Sequence, residues 1–236
     1  IKYSKNKLPG ADAHVVFVYE NRKLSASAKK LNDEADGLVA RAAEIGHFEG
    51  KFGQIAEIVA PGGLDLNRLL VVGLGDEADV DRLKAEKIGG KIMARLISSG
   101  EEYISVSADA PHNEHVTAAE FAAHLGLGLR LRRYRFDKYF TRQEDSKKPS
   151  VVEIDIMSAA AAAATALFEG FDRVADGVIF ARNLVTEPGN VIYPESYVEK
   201  IKELSELGVD VEVLGEDEME DLGMGALLGV GQGSSS

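Results

Sequence analysis

The sequence predicts an α/β protein, and three observations predict it. Short apolar runs of strand length alternate along the chain with segments whose apolar residues recur every three to four positions. Ala13 to Tyr19 (AHVVFVY) is apolar almost without a break, the pattern of a strand covered on both faces. Glycines and prolines fall between these runs, where turns belong.

After the first strand, Leu31, Ala35, Leu38, Ala42 and Ile45 predict a helix over residues 27–45, stopped by Gly46. Strands follow near Ile55–Ala60 and Leu69–Leu74, joined by a turn at Pro61-Gly62-Gly63. Ala85, Ile88, Ile92 and Leu96 give the inward face of a helix over residues 80–98, which Gly100 ends. Tyr103 to Ala108 alternates Ile104 and Val106 with Ser105 and Ser107, a strand pattern. Thr117 and Glu120 form a capping box, with Phe121, Leu125 and Leu129 as the apolar face behind it. Thr141 to Ser150 reads as an exposed loop, and Val151 to Ile156 as another strand. The alanine run from Ala159 opens a long helix with Leu167, Phe171, Val174, Val178, Ala181 and Val185 as its inward face, ended by Pro188-Gly189. At about 1.5 Å per residue it is roughly 40 Å long, a length that suits a connector between domains. A helix from Pro194, a strand at Val209–Val213 and a short helix near Glu216–Leu222 follow. No second strand comes after them, so residues 189–236 are expected to be the truncated start of a second α/β domain. There is no internal repeat.

The composition narrows the function classes. Hydrophobic residues make up 45% and charged residues 28%, the balance of a globular chain. No apolar run approaches the roughly 20 residues that span a bilayer, and the N-terminus lacks an apolar leader. A first residue of Ile rather than Met suggests trimming. With no cysteine there is no thiolate nucleophile and no cysteine zinc site, which fits a cytoplasmic protein. A net charge of −12 repels a phosphate backbone.

Each candidate site has a plain structural account beside it. Gly73-Leu-Gly75 after a strand invites a phosphate-loop reading, but Ala78 stands where a third glycine would be, and a tight turn accounts for it. His112 and His115 could converge on a metal; a surface loop explains them as well. The acidic run Glu216, Asp217, Glu218, Glu220, Asp221 reads as a solvated helix face. Arg130 to Lys138 interleaves arginines with aromatics, as a nucleic-acid surface would; the alternative is a helix end whose cations oppose the macrodipole, followed by aromatics that return to the core. Ser234, Ser235 and Ser236 lack a partnered His and Asp. Residue chemistry alone assigns no catalytic, cofactor-binding or metal-binding residue.

Five stretches nevertheless resemble the leucyl aminopeptidase (cytosol aminopeptidase) family. They are Gly63-Leu-Asp-Leu-Asn-Arg-Leu-Leu-Val-Val-Gly-Leu-Gly75 with Tyr134-Arg-Phe-Asp-Lys-Tyr139; Ala181-Arg-Asn-Leu-Val-Thr-Glu-Pro-Gly-Asn-Val-Ile-Tyr-Pro-Glu195; and Val209 to Leu214 with Met219 to Gly233. Tyr193 departs from the Ser- or Thr-like cap that the family commonly carries there. The resemblance implies a macro-domain-like amino-terminal domain with a mixed sheet flanked by helices (residues 1–158), a linker helix (159–188) and the truncated start of the catalytic domain (189–236). It implies a full-length parent that releases N-terminal amino acids from peptides with two divalent metal ions, manganese, zinc or magnesium, and that assembles as a homo-hexamer. The family's metal-ligand segments do not occur in this chain, so the 236 residues alone are expected to bind no metal and cleave nothing. The macro-like fold carries a second expectation, a nucleotide or ADP-ribose binding module.

Overall fold

The computed structural model describes residues 1–5, 10–144 and 147–233. They divide into two compact units, Ile1–Val178 and Ile179–Ser236.

The first unit is built on a seven-stranded mixed sheet: β1 (Lys2–Ser4), β2 (Ala13–Tyr19), β3 (Lys23–Leu24), β4 (Ile55–Val59), β5 (Arg68–Gly75), β6 (Tyr103–Ser107) and β7 (Glu153–Met157). The spatial order is β1-β7-β6-β2-β5-β4, with β3 beside β2. All neighbours along the row are parallel except β4 and β5; β3 is also antiparallel to β2. Every residue of β2 is buried, as its unbroken apolar run predicts for the middle of a covered sheet.

Alternation along the strands sends side chains to opposite faces. On one face Val15, Phe17, Leu70 and Val72 meet α3 (Arg82–Leu96) and α4 (Ala118–Arg132) through Ile88, Ile92, Phe121 and Leu125. On the other, Val16, Val18, Leu69 and Val71 meet α1 (Ala26–Glu34) and α2 (Leu38–Ile45) through Leu31, Val39 and Ala43. Each large aliphatic or aromatic side chain so buried contributes about 1.5–3 kcal/mol. The capping box opens α4 as its sequence predicts, with Thr117 Oγ1 accepting from the Glu120 N–H at 3.3 Å and Glu120 Oε2 from the Thr117 N–H at 2.9 Å.

Helices α3 and α4 cross on glycines. A Cβ on Gly128 would lie 1.9 Å from the Glu86 carbonyl oxygen, and one on Gly89 would lie 2.2 Å from that of Leu125. Only hydrogen in those places lets the backbones approach so closely.

Two expectations need correction in this unit. The helix over 27–45 is two helices, because Asp36 and Gly37 adopt positive φ (49° and 77°) and turn the chain between α1 and α2. Asn32 secures the turn, its side-chain oxygen accepting from the Ala40 N–H at 2.9 Å. The strand expected at Tyr103 is present, with Ser105 and Ser107 both buried and flanking His14. The long helix α5 (Ala161–Thr186) buries Ala164, Phe168 and Ala175 rather than the face read from its sequence; Leu167, Val174 and Val185 are exposed. Two apolar stripes competed for the core, and Phe168, packed against Tyr3 with the tilted rings 5.4 Å apart, decides the rotation. Arg130 holds it with ion pairs to Asp172 (3.1 Å) and Asp176 (2.9 Å).

The second unit holds the end of α5, then α6 (Pro194–Lys202), a 3-10 turn at Glu203–Leu207, α7 (Glu216–Asp221) and α8 (Gly225–Gly231). Ser196 rather than Tyr193 caps α6: its hydroxyl accepts from the Tyr193 N–H at 2.9 Å and donates to the Val191 carbonyl at 2.8 Å. Val209–Val213 is not a strand here. Isolated extended backbone has no ladder of its own, and no other strand is described in this unit to supply one. None of its described residues is buried.

Candidate functional site

In open α/β sheets, ligands settle beyond the carboxyl ends of the strands, where the order of connection reverses. Here that place is the end of β2, because the chain runs from β2 to β5 on one side and then crosses to β6 on the other. An acidic side chain already fills it. Asp109, two residues past β6, accepts from the Ser25 hydroxyl (2.6 Å), the Ser27 N–H at the start of α1 (2.7 Å) and the Ser27 hydroxyl (2.8 Å). The free amides of a helix start attract anions, and Asp109 meets that demand from within the fold. Beside it, Glu77 pairs with Lys23 and accepts from the His112 N–H at 3.0 Å. Burial pushes the Glu77 carboxyl up, but those two partners outweigh it and hold it below the usual range. Two carboxylates at this rim oppose a phosphate-bearing ligand.

The Gly73-Leu-Gly75 segment is likewise committed. The Gly73 N–H donates to the Gln54 carbonyl (2.8 Å) and the Gly75 N–H to that of Gly50 (3.0 Å), so neither amide faces a phosphate. A Cβ at Gly73 would stand 2.2 Å from the Lys51 carbonyl oxygen, which accounts for the glycine.

The remaining candidates stay apart. His112 and His115 are exposed on a loop that Asn113 anchors through the Glu77 and Val80 carbonyls, at 2.7 and 2.9 Å. The acidic run lies along α7 with only Met219 half-buried. Of the basic segment, Arg130 is spent on Asp172 and Asp176, Arg133 on the Val151 carbonyl (3.0 Å) and Arg135 on that of Lys147 (2.7 Å). Of the aromatics among them, Tyr134 and Phe136 are half-buried and Tyr139 is 47% exposed. Ser234, Ser235 and Ser236 lie outside the described residues, as do Asp145 and Ser146 of the polar loop.

Among the buried titratable groups is one to which the sequence assigned no role. His14, 1% exposed in the middle of β2, has Nδ1 2.6 Å from Ser105 Oγ and Nε2 3.1 Å from Ser107 Oγ. Burial pushes its pKa down to about 4, so the ring is neutral at physiological pH. The strand alternation that put two serines on one face was the available signal. Enclosed on all sides, the trio has no route to a substrate and serves the sheet's interior.

Among the described residues no group of three or more His, Asp or Glu side chains is placed to hold a metal ion. Among the described residues no helix is long and apolar enough to cross a membrane.

What the fold defines, then, is a three-layer α/β unit with its ligand crevice filled, joined in sequence to a second unit without buried residues. The comparisons identify the family. Residues 15–143 match the model of the cytosol aminopeptidase family, N-terminal domain, and residues 179–236 that of the family's catalytic domain. The chain belongs to the cytosol aminopeptidase family. Probable cytosol aminopeptidases of Caulobacter vibrioides and Bradyrhizobium sp. are 40% and 41% identical to it over 94% of this chain and 44% of their own. The chain thus spans less than half the length of these relatives. A mutant tomato leucine aminopeptidase shares the fold with a TM-score of 0.78 at 21% identity, over 94% of this chain and 46% of that one. The bottromycin maturation enzyme BotP in complex with Mn does so at 0.72 and 19%, over 96% and 43%.

Proposed function

We propose that this chain is the amino-terminal portion of a metal-dependent aminopeptidase, a hydrolase that releases N-terminal residues from peptides. In this reading residues 1–158 are the macro-like amino-terminal domain, 159–188 the linking helix and 189–236 the start of the catalytic domain. The observation that carries it is the order of the two family matches, amino-terminal domain at 15–143 and catalytic domain at 179–236. Two divalent ions, manganese or zinc, belong to the complete protein and are held by residues outside this chain. A cytoplasmic homo-hexamer is the assembly proposed for it. On their own the 236 residues perform no hydrolysis. Leucine p-nitroanilide offered to the purified chain with millimolar Mn²⁺ or Zn²⁺ is expected to remain intact; metal-dependent release of nitroaniline, lost with chelator, would overturn the proposal.

A further inference from the structure

The sheet of the first unit ends at β4, and the phase of its last ladder is fixed. The Gly73 N–H reaches the Gln54 carbonyl at 2.8 Å and the Ala60 N–H that of Asn67 at 2.8 Å, so residues 54, 56, 58 and 60 turn their backbone polar groups toward β5. Ile55, Glu57 and Val59 turn theirs outward, and among the described residues none of those N–H and C=O groups forms a hydrogen bond. Such an edge is a template for another strand. The chain itself leads away from it: α5, by which the polypeptide leaves the unit, packs on Tyr3 of β1, at the opposite edge of the sheet.

A charge on an edge ordinarily repels a second strand, and Glu57 stands at the centre of this one. Here that charge is spent. Glu57 pairs with Arg68 and with Arg95, whose Nε lies 2.6 Å from Glu57 Oε2, and Arg68 pairs in turn with Glu101 at 2.8 Å. The two carboxylates and two guanidiniums cancel. Around them the edge is apolar: Val59 is 64% exposed, and Ile45, at the end of α2, 74%. Between α2 and β4 lies a cleft of about 450 Å³, walled by Ala42, Ile45, Phe48, Ala56 and Ile58.

We propose that β4 joins two copies of this chain, paired antiparallel across a twofold axis that passes by Glu57. The sequence Ile55-Ala-Glu-Ile-Val59 selects that occupant, because it complements itself when reversed. Ile55 of one copy lies opposite Val59 of the other, and Ala56 opposite Ile58, small against large, at the mouth of the cleft. Every open N–H of one edge then meets an open carbonyl of the other. The two Glu57 carboxylates meet at the axis, each already neutralised by its own arginines. Such a contact is isologous and stops at two copies. It uses the first unit alone and is independent of the aminopeptidase reading. The net charge of −12 on each copy opposes association, so the contact tightens as salt screens it.

Sedimentation of the purified chain, read together with amide exchange, tests this. Twice the chain mass is expected at high concentration, with exchange at Ile55, Glu57 and Val59 slowing as the dimer fills and exchange in β2 unchanged. Val59→Pro removes an outward N–H, which an edge strand tolerates, and is expected to weaken the dimer by roughly tenfold or more, because two hydrogen bonds of the pair go with it. Ile45→Lys, at an exposed helix position that leaves the backbone alone, is expected to weaken it as well, and decides the matter if the proline variant exchanges faster in β2. A chain that stays monomeric at high protein and salt concentration overturns the proposal. So does a dimer whose residues 55, 57 and 59 still exchange freely, or one indifferent to Ile45→Lys. Protection of those amides that is independent of concentration also overturns it, by making a segment of the same chain the occupant. A dimer that salt loosens is held by charge pairing and overturns the neutral edge.

Discussion

Replacing Gly128 with alanine pits helix propensity against packing, and the structure says which wins. Alanine is favoured over glycine inside a helix by about 1 kcal/mol. At this position, however, the new methyl would stand 1.9 Å from the Glu86 carbonyl oxygen and 2.8 Å from its carbon. Both belong to the backbone of α3, so no side chain can swing aside. The helices must part by about 1 Å to bring the methyl to the nearest separation real Cβ atoms show. Opening a close-packed contact in this way costs about 1–3 kcal/mol or more. Allowing for the propensity gain, Gly128→Ala is expected to destabilise the first unit by about 2 kcal/mol. Gly90→Ala is the matched control, in the same helix pair, with its nearest foreign atom at 3.9 Å. It is expected to gain up to about 1 kcal/mol, because only the propensity term acts. Exchange of the β2 amides measures both, since that strand opens only when the unit unfolds. A Gly128→Ala protein as stable as the parent, or a Gly90→Ala protein equally damaged, would refute the close helix approach.

Other expectations follow from the same coordinates. His14 has a folded pKa near 4 against 6.5 unfolded, so the unfolded chain takes up its proton first as pH falls. Its stability contribution is full above pH 6.5, erodes below it and is spent near pH 4, about 3 kcal/mol in all at 1.36 kcal/mol per pKa unit. Denaturation of the wild type and of His14→Gln at pH 7.5 and 5 should therefore show a smaller pH penalty in the variant; equal penalties would exclude the buried neutral ring. Thr117→Ala removes one half of the capping box and is expected to cost about 1 kcal/mol by urea denaturation. ADP-ribose titrated into the chain is expected to give no heat, because Asp109 holds the start of α1; saturable heat would place a nucleotide elsewhere.

Much of this architecture was legible in the sequence, for reasons that differ by element. β2 was read to the residue because both its faces are covered and its apolar run has no polar interruption. α4 was located by two side chains that satisfy each other's backbone, a purely local device. Failures arose where the deciding partner is distant. The rotation of α5 depends on Tyr3, far away in sequence, which fixes Phe168. The partner that gives Ser105 its role is His14, on another strand. The break at Asp36-Gly37 lies within an apolar periodicity that continues through it from α1 to α2. Val209–Val213 has a strand's composition without a strand's neighbour, and composition cannot supply hydrogen bonds. No local pattern announced Asp109, since its role comes from topology. The family was legible because its signature stretches are long, whereas the filled crevice required coordinates.

The burial of β2 also sets a schedule for synthesis. The strand leaves the ribosome well before its parallel partners, Arg68–Gly75 and Tyr103–Ser107. At about 5–20 residues per second, seven sticky residues wait several seconds for their first parallel neighbour and longer for the second. The outermost strand, Lys2–Ser4, has to be stored until Glu153–Met157 emerges. Nascent chains of this protein are therefore natural clients for chaperones that shield aliphatic segments, and starving a cell of such helpers should tip them into aggregates before any mature copy suffers.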